Sequence, residues 1–498
     1  MNYPTITDIA AGLRTKKLSA TEITRQYLDR ITAHDAGVGA YLHTMNDDAL
    51  ATAKRVDAAI ARGEELSPLA GVPIAIKDTI LVAGHPATAA SKILAPYIAA
   101  YDATAIAKLK SQDAVLLGKT NCDEFAMGSS TENSAFKQTM NPWDPTTVPG
   151  GSSGGSAAGV AADLCAAALG SDTGGSIRQP ASLCGTVGLK PTYGSVSRYG
   201  LIAMASSFDV IGPFARTVAD ARTLFHAIKG RDPHDATSSE TAPTLPRPRA
   251  GFKDLRIGIP KEYFASGIDP DVERAVRDAI RVLEGFGCSI SEVSIPHTKY
   301  GLAVYYVLMP SEVSANLARF DGIRYGASLA RDTANASLDE VYRTTRSTGF
   351  GPEPRRRIML GTYALSKGYA DKYYTRALAV RQLLKRDFER VFADVDVLVT
   401  PTAPTPAWKF GAKANDPLAM YLSDVFTVSA NVVGIPGISM PCGFVERNGK
   451  QLPVGLQLMS RWFDEDALFT LGLAYEQATD WHTKHPPTGV IARNGAAA

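Results

Sequence analysis

The stretch Leu255-Arg256-Ile257-Gly258-Ile259, followed by Asp269-Pro270-Asp271-Val272-Glu273-Arg274-Ala275-Val276-Arg277-Asp278-Ala279-Ile280-Arg281-Val282-Leu283-Glu284-Gly285 and then by Ser289-Ile290-Ser291-Glu292-Val293-Ser294-Ile295, decides the fold class. It reads strand, helix, strand, which is the alternation of an α/β protein. Upstream, Asp220 to Ile228 reads as a helix, and Val72 to Ile76 and Ala114 to Leu117 read as short buried strands. Downstream, strand patterns return at Val397 to Val399, Gly437 to Met440 and Pro453 to Leu458. One large mixed β-sheet with helices on both sides accommodates all of them.

At the N-terminal side, Ser19-Ala20-Thr21-Glu22 is a capping-box pattern ahead of Ile23, Tyr27, Leu28 and Ile31. It predicts an amphipathic helix to about His34, inside a helical layer over residues 1–65. Between Gly230 and Lys253 apolar periodicity vanishes and Asp, Ser, Thr and Pro cluster. We read residues 230–253 as an exposed loop rather than a domain linker, because strand patterns resume beyond it. That makes 1–490 a single domain, with 491–498 a frayed tail.

With 52 Lys+Arg against 50 Asp+Glu over 498 residues, the net charge of +2 gives no surface built to hold nucleic acid unaided. Cys122, Cys165, Cys184, Cys288 and Cys442 are widely spaced and include no Cys-x-x-Cys pair, so neither a disulfide framework nor a zinc site is indicated and a reducing compartment fits. Met1 to Ala11 contains Asp8 and lacks a basic start and an apolar run, so it reads as no signal peptide. The longest apolar runs, such as Val160 to Leu169 with Asp163 inside it, are too short to span a bilayer. A cytoplasmic protein is expected.

The chemistry is concentrated in two glycine loops, Pro149-Gly150-Gly151-Ser152-Ser153-Gly154-Gly155-Ser156 and Gly170-Ser171-Asp172-Thr173-Gly174-Gly175-Ser176-Ile177-Arg178. Gly174-Gly175 permits a tight turn, and the N–H groups from Thr173 to Ser176 could converge on one oxygen as an oxyanion hole. A phosphate-binding loop is disfavoured: the first loop has no lysine, and Gly118-Lys119-Thr120 has Asp113 where the leading glycine should stand. None of the histidines lies in these loops and no Gly-x-Ser-x-Gly elbow occurs, so a Ser-His-Asp triad is not expected.

Another base is then required, and Lys77 in Gly71-Val72-Pro73-Ile74-Ala75-Ile76-Lys77-Asp78 is the candidate. It ends an apolar strand, where desolvation favours the neutral amine. Deprotonating an ordinary lysine at pH 7 costs about 4.6 kcal/mol, so the fold must lower that figure. Asp78 must also point away, as strand alternation predicts.

Together, Lys77, Gly150-Gly151-Ser152-Ser153-Gly154-Gly155 and Asp172-Thr173-Gly174-Gly175-Ser176 resemble the amidase signature family. The resemblance implies Ser176 as the acyl-forming nucleophile, Ser152 as a bridging serine on a cis peptide bond, and Lys77 as the proton acceptor. Segments outside the shared core, Asp123-Glu124-Phe125-Ala126-Met127-Gly128, Ser207-Phe208-Asp209, Ala315 to Gly322 and Arg357 to Thr362, resemble the A subunits of tRNA-dependent amidotransferases within that family.

That likeness implies glutamine as substrate and ammonia as product, delivered to a tRNA-binding B subunit in a heterotrimer with a small C subunit. The product there would be the amidated form of Glu-tRNA(Gln) or Asp-tRNA(Asn), with tRNA held mainly by the partner. No cofactor is expected on this chain, and ATP and Mg are expected on a partner. A free-standing amidase acting on other small amides is the alternative. Free glutamine carries an α-carboxylate and an α-ammonium, for which the resemblance implies Arg357 and Asp424, with Tyr305 as an aromatic hydrogen-bonding residue. Arg355-Arg356-Arg357 also fits a solvated helix face, Asp424 an exposed carboxylate on a Met420 to Phe426 helix, and Tyr306 stands beside Tyr305.

Overall fold

Among the residues that the computed structural model describes, 4–239, 252–265, 267–328 and 335–487, eleven strands pair into one sheet. In chain order they are β1 Tyr41–Thr44, β2 Pro73–Lys77, β3 Val115–Thr120, β4 Ala167–Asp172, β5 Val187–Lys190, β6 Val210–Ala215, β7 Arg256–Pro260, β8 Ser289–Val293, β9 Val397–Pro401, β10 Gly437–Arg447 and β11 Lys450–Ser460. Across the sheet the order is β1-β3-β2-β4-β6-β5-β10-β11-β9-β7-β8. The sheet is mixed. β2 runs parallel to β3 and β4, and β7 to β8 and β9, while the centre from β4 to β9 is antiparallel. Asn448 and Gly449, both in the left-handed region at φ 53° and 73°, close the β10–β11 hairpin, a geometry that matches strand twist.

Alternation along single strands divides the apolar side chains between two cores. Val397 and Val399 of β9 join one core with Val272, Val276 and Leu283 of the helix Pro270–Glu284. Leu398 between them joins the other, with Leu384, Phe388 and Val391 of the helix Arg376–Asp394. This places helices against both faces of the sheet. No helix of the described residues is long and apolar enough to cross a membrane.

The sequence-based elements appear with shifted ends. Ser19 caps the helix Ala20–Val38, accepting from the Glu22 N–H at 3.3 Å, and this helix runs past His34 to a left-handed Gly39. The layer over residues 1–65 is not purely helical: β1 lies inside it and pairs with β3. Four residues are too few to leave a pattern against the flanking helices. The expected Met420 to Phe426 helix is instead a short helix Pro417–Tyr421 followed by a 3-10 turn Leu422–Asp424. Half of the loop read over 230–253, residues 240–251, and all of the tail over 491–498 lie outside the described residues.

Two neighbouring parallel strands position the site. β2 ends at Lys77, and β4 ends at Ser171 and Asp172, where the second glycine loop begins. Functional groups commonly gather at such carboxyl ends of parallel strands.

Candidate active site

Lys77 is fully buried, and its Nζ lies 2.7 Å from Ser152 Oγ, 2.9 Å from Ser153 Oγ and 2.9 Å from Ser171 Oγ. Burial pulls its pKa down to about 8, against weaker opposing pulls from Cys122, Asp123, Asp172 and Asp209. Asp78 turns away: its carboxylate accepts from the Thr88 N–H at 3.0 Å and faces Lys119 Nζ at 3.5 Å. The carboxylate next in sequence therefore does not hold the Lys77 ammonium.

The hydroxyls are oriented. Ser153 Oγ donates to the Ser171 carbonyl at 3.1 Å, so towards Lys77 it acts as an acceptor. A neutral amine has two N–H groups and one lone pair. With the N–H groups given to Ser153 and Ser171, the lone pair is left for the Ser152 hydroxyl.

Ser152 follows a cis Gly151–Ser152 peptide bond, and its carbonyl accepts from the Asp123 N–H at 3.2 Å. The Gly151 N–H donates to Gln179 Oε1 at 3.0 Å. Ser176 is buried at the end of the other loop, and its carbonyl accepts from the Ser153 N–H at 3.3 Å, which ties the two loops together. Gly175 lies at φ +148°, with Thr427 so close that a β-carbon would collide with its hydroxyl. Thr427 Oγ1 donates to the Gly174 carbonyl at 2.7 Å, and Thr173 Oγ1 donates to Asp209 Oδ1 at 2.7 Å. The Thr173, Gly174, Gly175 and Ser176 segment is thus pinned from both sides.

The sequence of this chain matches the Amidase family over residues 22–469. The chain belongs to the amidase family. Among amidase-family relatives, it is 55% identical to the A subunit of a glutamyl-tRNA(Gln) amidotransferase of Carboxydothermus hydrogenoformans, over 97% of this chain and 99% of the relative. A crystal structure of the A subunit of glutamyl-tRNA(Gln) amidotransferase from Thermotoga maritima superposes with a TM-score of 0.76 at 40% identity, covering 96% of this chain and 95% of that one. A peptide amidase crystallised with the inhibitor chymostatin superposes with a TM-score of 0.81 at 30% identity, covering 97% and 99%. The chain is therefore an enzyme of the amidase family, and its helix-covered mixed sheet is shared with these neighbours.

Beside these loops, the Tyr305 ring packs against Gly174, while Tyr306 stacks on Tyr421 at 3.9 Å. Tyr305 is therefore the tyrosine that meets the glycine loop. Asp424 is buried; its Oδ2 accepts from the Ser129 hydroxyl, and its Oδ1 has no hydrogen-bond partner among the described residues. That orphan oxygen lies on the Gly175 side of the site. Burial pushes the Asp424 pKa up to about 7, opposed by Ser129, Arg357 and Lys413.

Arg357 is the inward member of its arginine run, 3% exposed, whereas Arg355 and Arg356 face solvent. Its Nε donates to Glu353 Oε1 at 2.8 Å, and its guanidinium lies 5.6 Å from the centre of the Tyr306 ring. With Glu132, Glu353, Lys413 and Tyr421 it lines a cavity of about 360 Å³.

Sequence reasoning misses the support around these residues. Asp172 and Arg178, both fully buried, form a bidentate pair at 3.0 and 3.1 Å. Arg178 also donates to Thr427 and Asn431 of one helix and its cap, and to Gln457 of β11, so the second loop is fastened to two distant segments. A signal is present, since Asp172 and Arg178 bracket the loop, but their partners are remote in sequence. Ser171 stands in the loop motif with no role of its own, and only the pairing of β4 with β2 brings it to Lys77.

Proposed function

We propose that this chain is the glutaminase subunit of a tRNA-dependent amidotransferase, releasing ammonia from glutamine through Ser176, Ser152 and Lys77. The observation that carries the reading is the buried carboxylate of Asp424, whose unpartnered oxygen faces Gly175 and which feels the charge of buried Arg357. An α-amino acid offers the complementary pair of charges, and a simple amide does not. The names of the relatives support the same assignment.

In this reading neutral Lys77 takes the proton of Ser152 as Ser152 takes that of Ser176, whose oxygen attacks the side-chain amide carbon. The negative oxygen is held by N–H groups of Thr173, Gly174, Gly175 and Ser176. When the C–N bond breaks, the proton returns along the relay to the leaving nitrogen, giving ammonia and a γ-glutamyl ester on Ser176. Water then hydrolyses the ester to glutamate and restores the serine. Arg357 binds the α-carboxylate, Asp424 the α-ammonium, and Tyr305 bounds the acyl chain.

Ammonia must leave unprotonated to serve as a nucleophile, so its acceptor site belongs on a tightly attached partner. A B subunit that holds the tRNA, with ATP and Mg, and a small C subunit fill that role, and the cytoplasm is where such a complex would work. The near-neutral charge of this chain fits a division in which the partner carries the nucleic acid. Either Glu-tRNA(Gln) or Asp-tRNA(Asn) would serve as the acylated tRNA. Co-purification from the native source tests the assignment: a stable complex with a tRNA-binding partner, together with tRNA-stimulated glutaminase, supports it. A lone chain fully active on other amides and inert to glutamine would replace it with a free-standing amidase.

A further inference from the structure

The helix Pro352–Leu365, which carries Arg357, cannot cap itself. It begins Gly351-Pro352-Glu353-Pro354, so its N-cap residue has no side chain and two of its first positions have no N–H. Its N-terminal end is held instead by a residue remote in sequence. Glu124 Oε2 accepts from the Gly351 N–H at 2.9 Å, and Glu124 Oε1 accepts from the Ser91 hydroxyl at 2.5 Å. Glu124 is 1% exposed, and a β-carbon at position 351 would run into its carboxylate. A carboxylate at a helix N-terminus is also favoured by the helix dipole.

The residue before it, Asp123, holds the catalytic side. The Asp123 N–H donates to the Ser152 carbonyl at 3.2 Å, and its carboxylate accepts from Thr131 and Asn133 N–H groups at 2.9 and 3.1 Å. Two consecutive residues thus grip opposite ends of the site. One fixes the serine loop, and the next fixes the helix whose Arg357 lies a turn and a half further on.

We propose that Glu124 is a positioning residue that sets Arg357 at the distance from the serine loop that a glutamine α-carboxylate requires. The inference rests on the glutaminase reading. Glu124 acts through the helix and not on substrate, so its removal should weaken ligands that carry the α-carboxylate and leave others alone.

The test compares wild type, Glu124→Ala, Glu124→Gln and Gly351→Ala, each as the full chain co-expressed with its partner subunits. Readouts are KM and kcat for glutamine, and inhibition constants for glutamate and for 4-aminobutanoate, which lacks the α-carboxylate. Glu124→Ala should raise the glutamine KM and the glutamate inhibition constant roughly tenfold or more, from loss of the acceptor that fixes the Gly351 N–H. The 4-aminobutanoate constant should stay within about twofold and kcat within about threefold. Glu124→Gln, which keeps an acceptor for Gly351, should recover most of the loss, and Gly351→Ala should give the same pattern from the helix side. Equal shifts for both inhibitors, or no shift in any folded variant, would overturn the inference alone. A wild-type complex without glutaminase activity would overturn the glutaminase reading and this inference with it.

Discussion

Lys77 Nζ stands 2.7 Å from Ser152 Oγ, with the hydroxyls of Ser153 and Ser171 each at 2.9 Å. The lysine at the end of β2 thus meets hydroxyls, and the carboxylate next to it in sequence is engaged by Thr88 and Lys119. At a pKa of about 8 the amine is one unit from neutral pH, so the free base costs about 1.4 kcal/mol at pH 7, against about 4.6 for an exposed lysine. Burial supplies the difference, and the same burial makes the position costly to the fold.

That cost is measurable through pH. The folded-state pKa of Lys77 lies below the ordinary value of 10.5, so between about pH 8 and that value the unfolded chain binds the extra proton and stability rises with pH. Lys77→Met should abolish turnover, keep the fold, and remove this rise. Urea titrations at pH 7.5 and 9.5 check it, and an unchanged pH slope in the variant would assign the effect elsewhere.

Ser176→Ala should leave the fold intact and lower glutamine hydrolysis by at least about 10⁴-fold. Intact-protein mass spectrometry after mixing with glutamine should show a γ-glutamyl adduct in the wild-type chain and none in the variant. An adduct that persists in Ser176→Ala would move the nucleophile to another residue.

Asp424 titrates in the opposite sense to Lys77. Its raised pKa, about 7, means that it loses its proton, and gains the charge that attracts an α-ammonium, as pH rises through that value. The glutamine KM should therefore fall between pH 6 and 8. In Asp424→Asn that dependence should vanish, with KM raised by roughly 30-fold or more. The folded variant should be no less stable than wild type near pH 7, because it removes a charge that burial already disfavours.

The pair Asp172–Arg178 gives a stability prediction. Arg178→Met strands a buried carboxylate beside Asn431 and should cost about 3–5 kcal/mol in chemical denaturation. Replacing both residues by apolar ones should cost less than the single change, and a larger loss in the double variant would contradict the account.

The strands that the sequence reveals are those with uniform apolar runs bounded by turns, such as Val397–Pro401 and the stretch before Lys77. Those it hides are chemically mixed. Ala167–Asp172 ends in Gly-Ser-Asp because that end supplies Ser171 to the site, and Val210–Ala215 contains Pro213, which argues against a strand. Pairing with Val187–Lys190 is confined to Phe214 and Ala215, so Pro213 stands beyond it. Likewise the loop motifs announce Lys77, Ser152 and Ser176, whereas Ser129, Glu124 and Asp209 act through partners that only the folded chain brings near. Burial also separates Arg357 from its exposed neighbours, which a run of three arginines cannot do in one dimension.

The proposed mechanism requires uncharged Lys77 to drive acylation of Ser176. Single-turnover acylation at saturating glutamine, followed from pH 6 to 10, tests it most directly. The rate should climb about tenfold per unit below an inflection near 8 and level above it, with the inflection lost along with activity in Lys77→Met. A rate independent of pH across that range, or an acylation step that survives in Lys77→Met, would show that Lys77 is not the base.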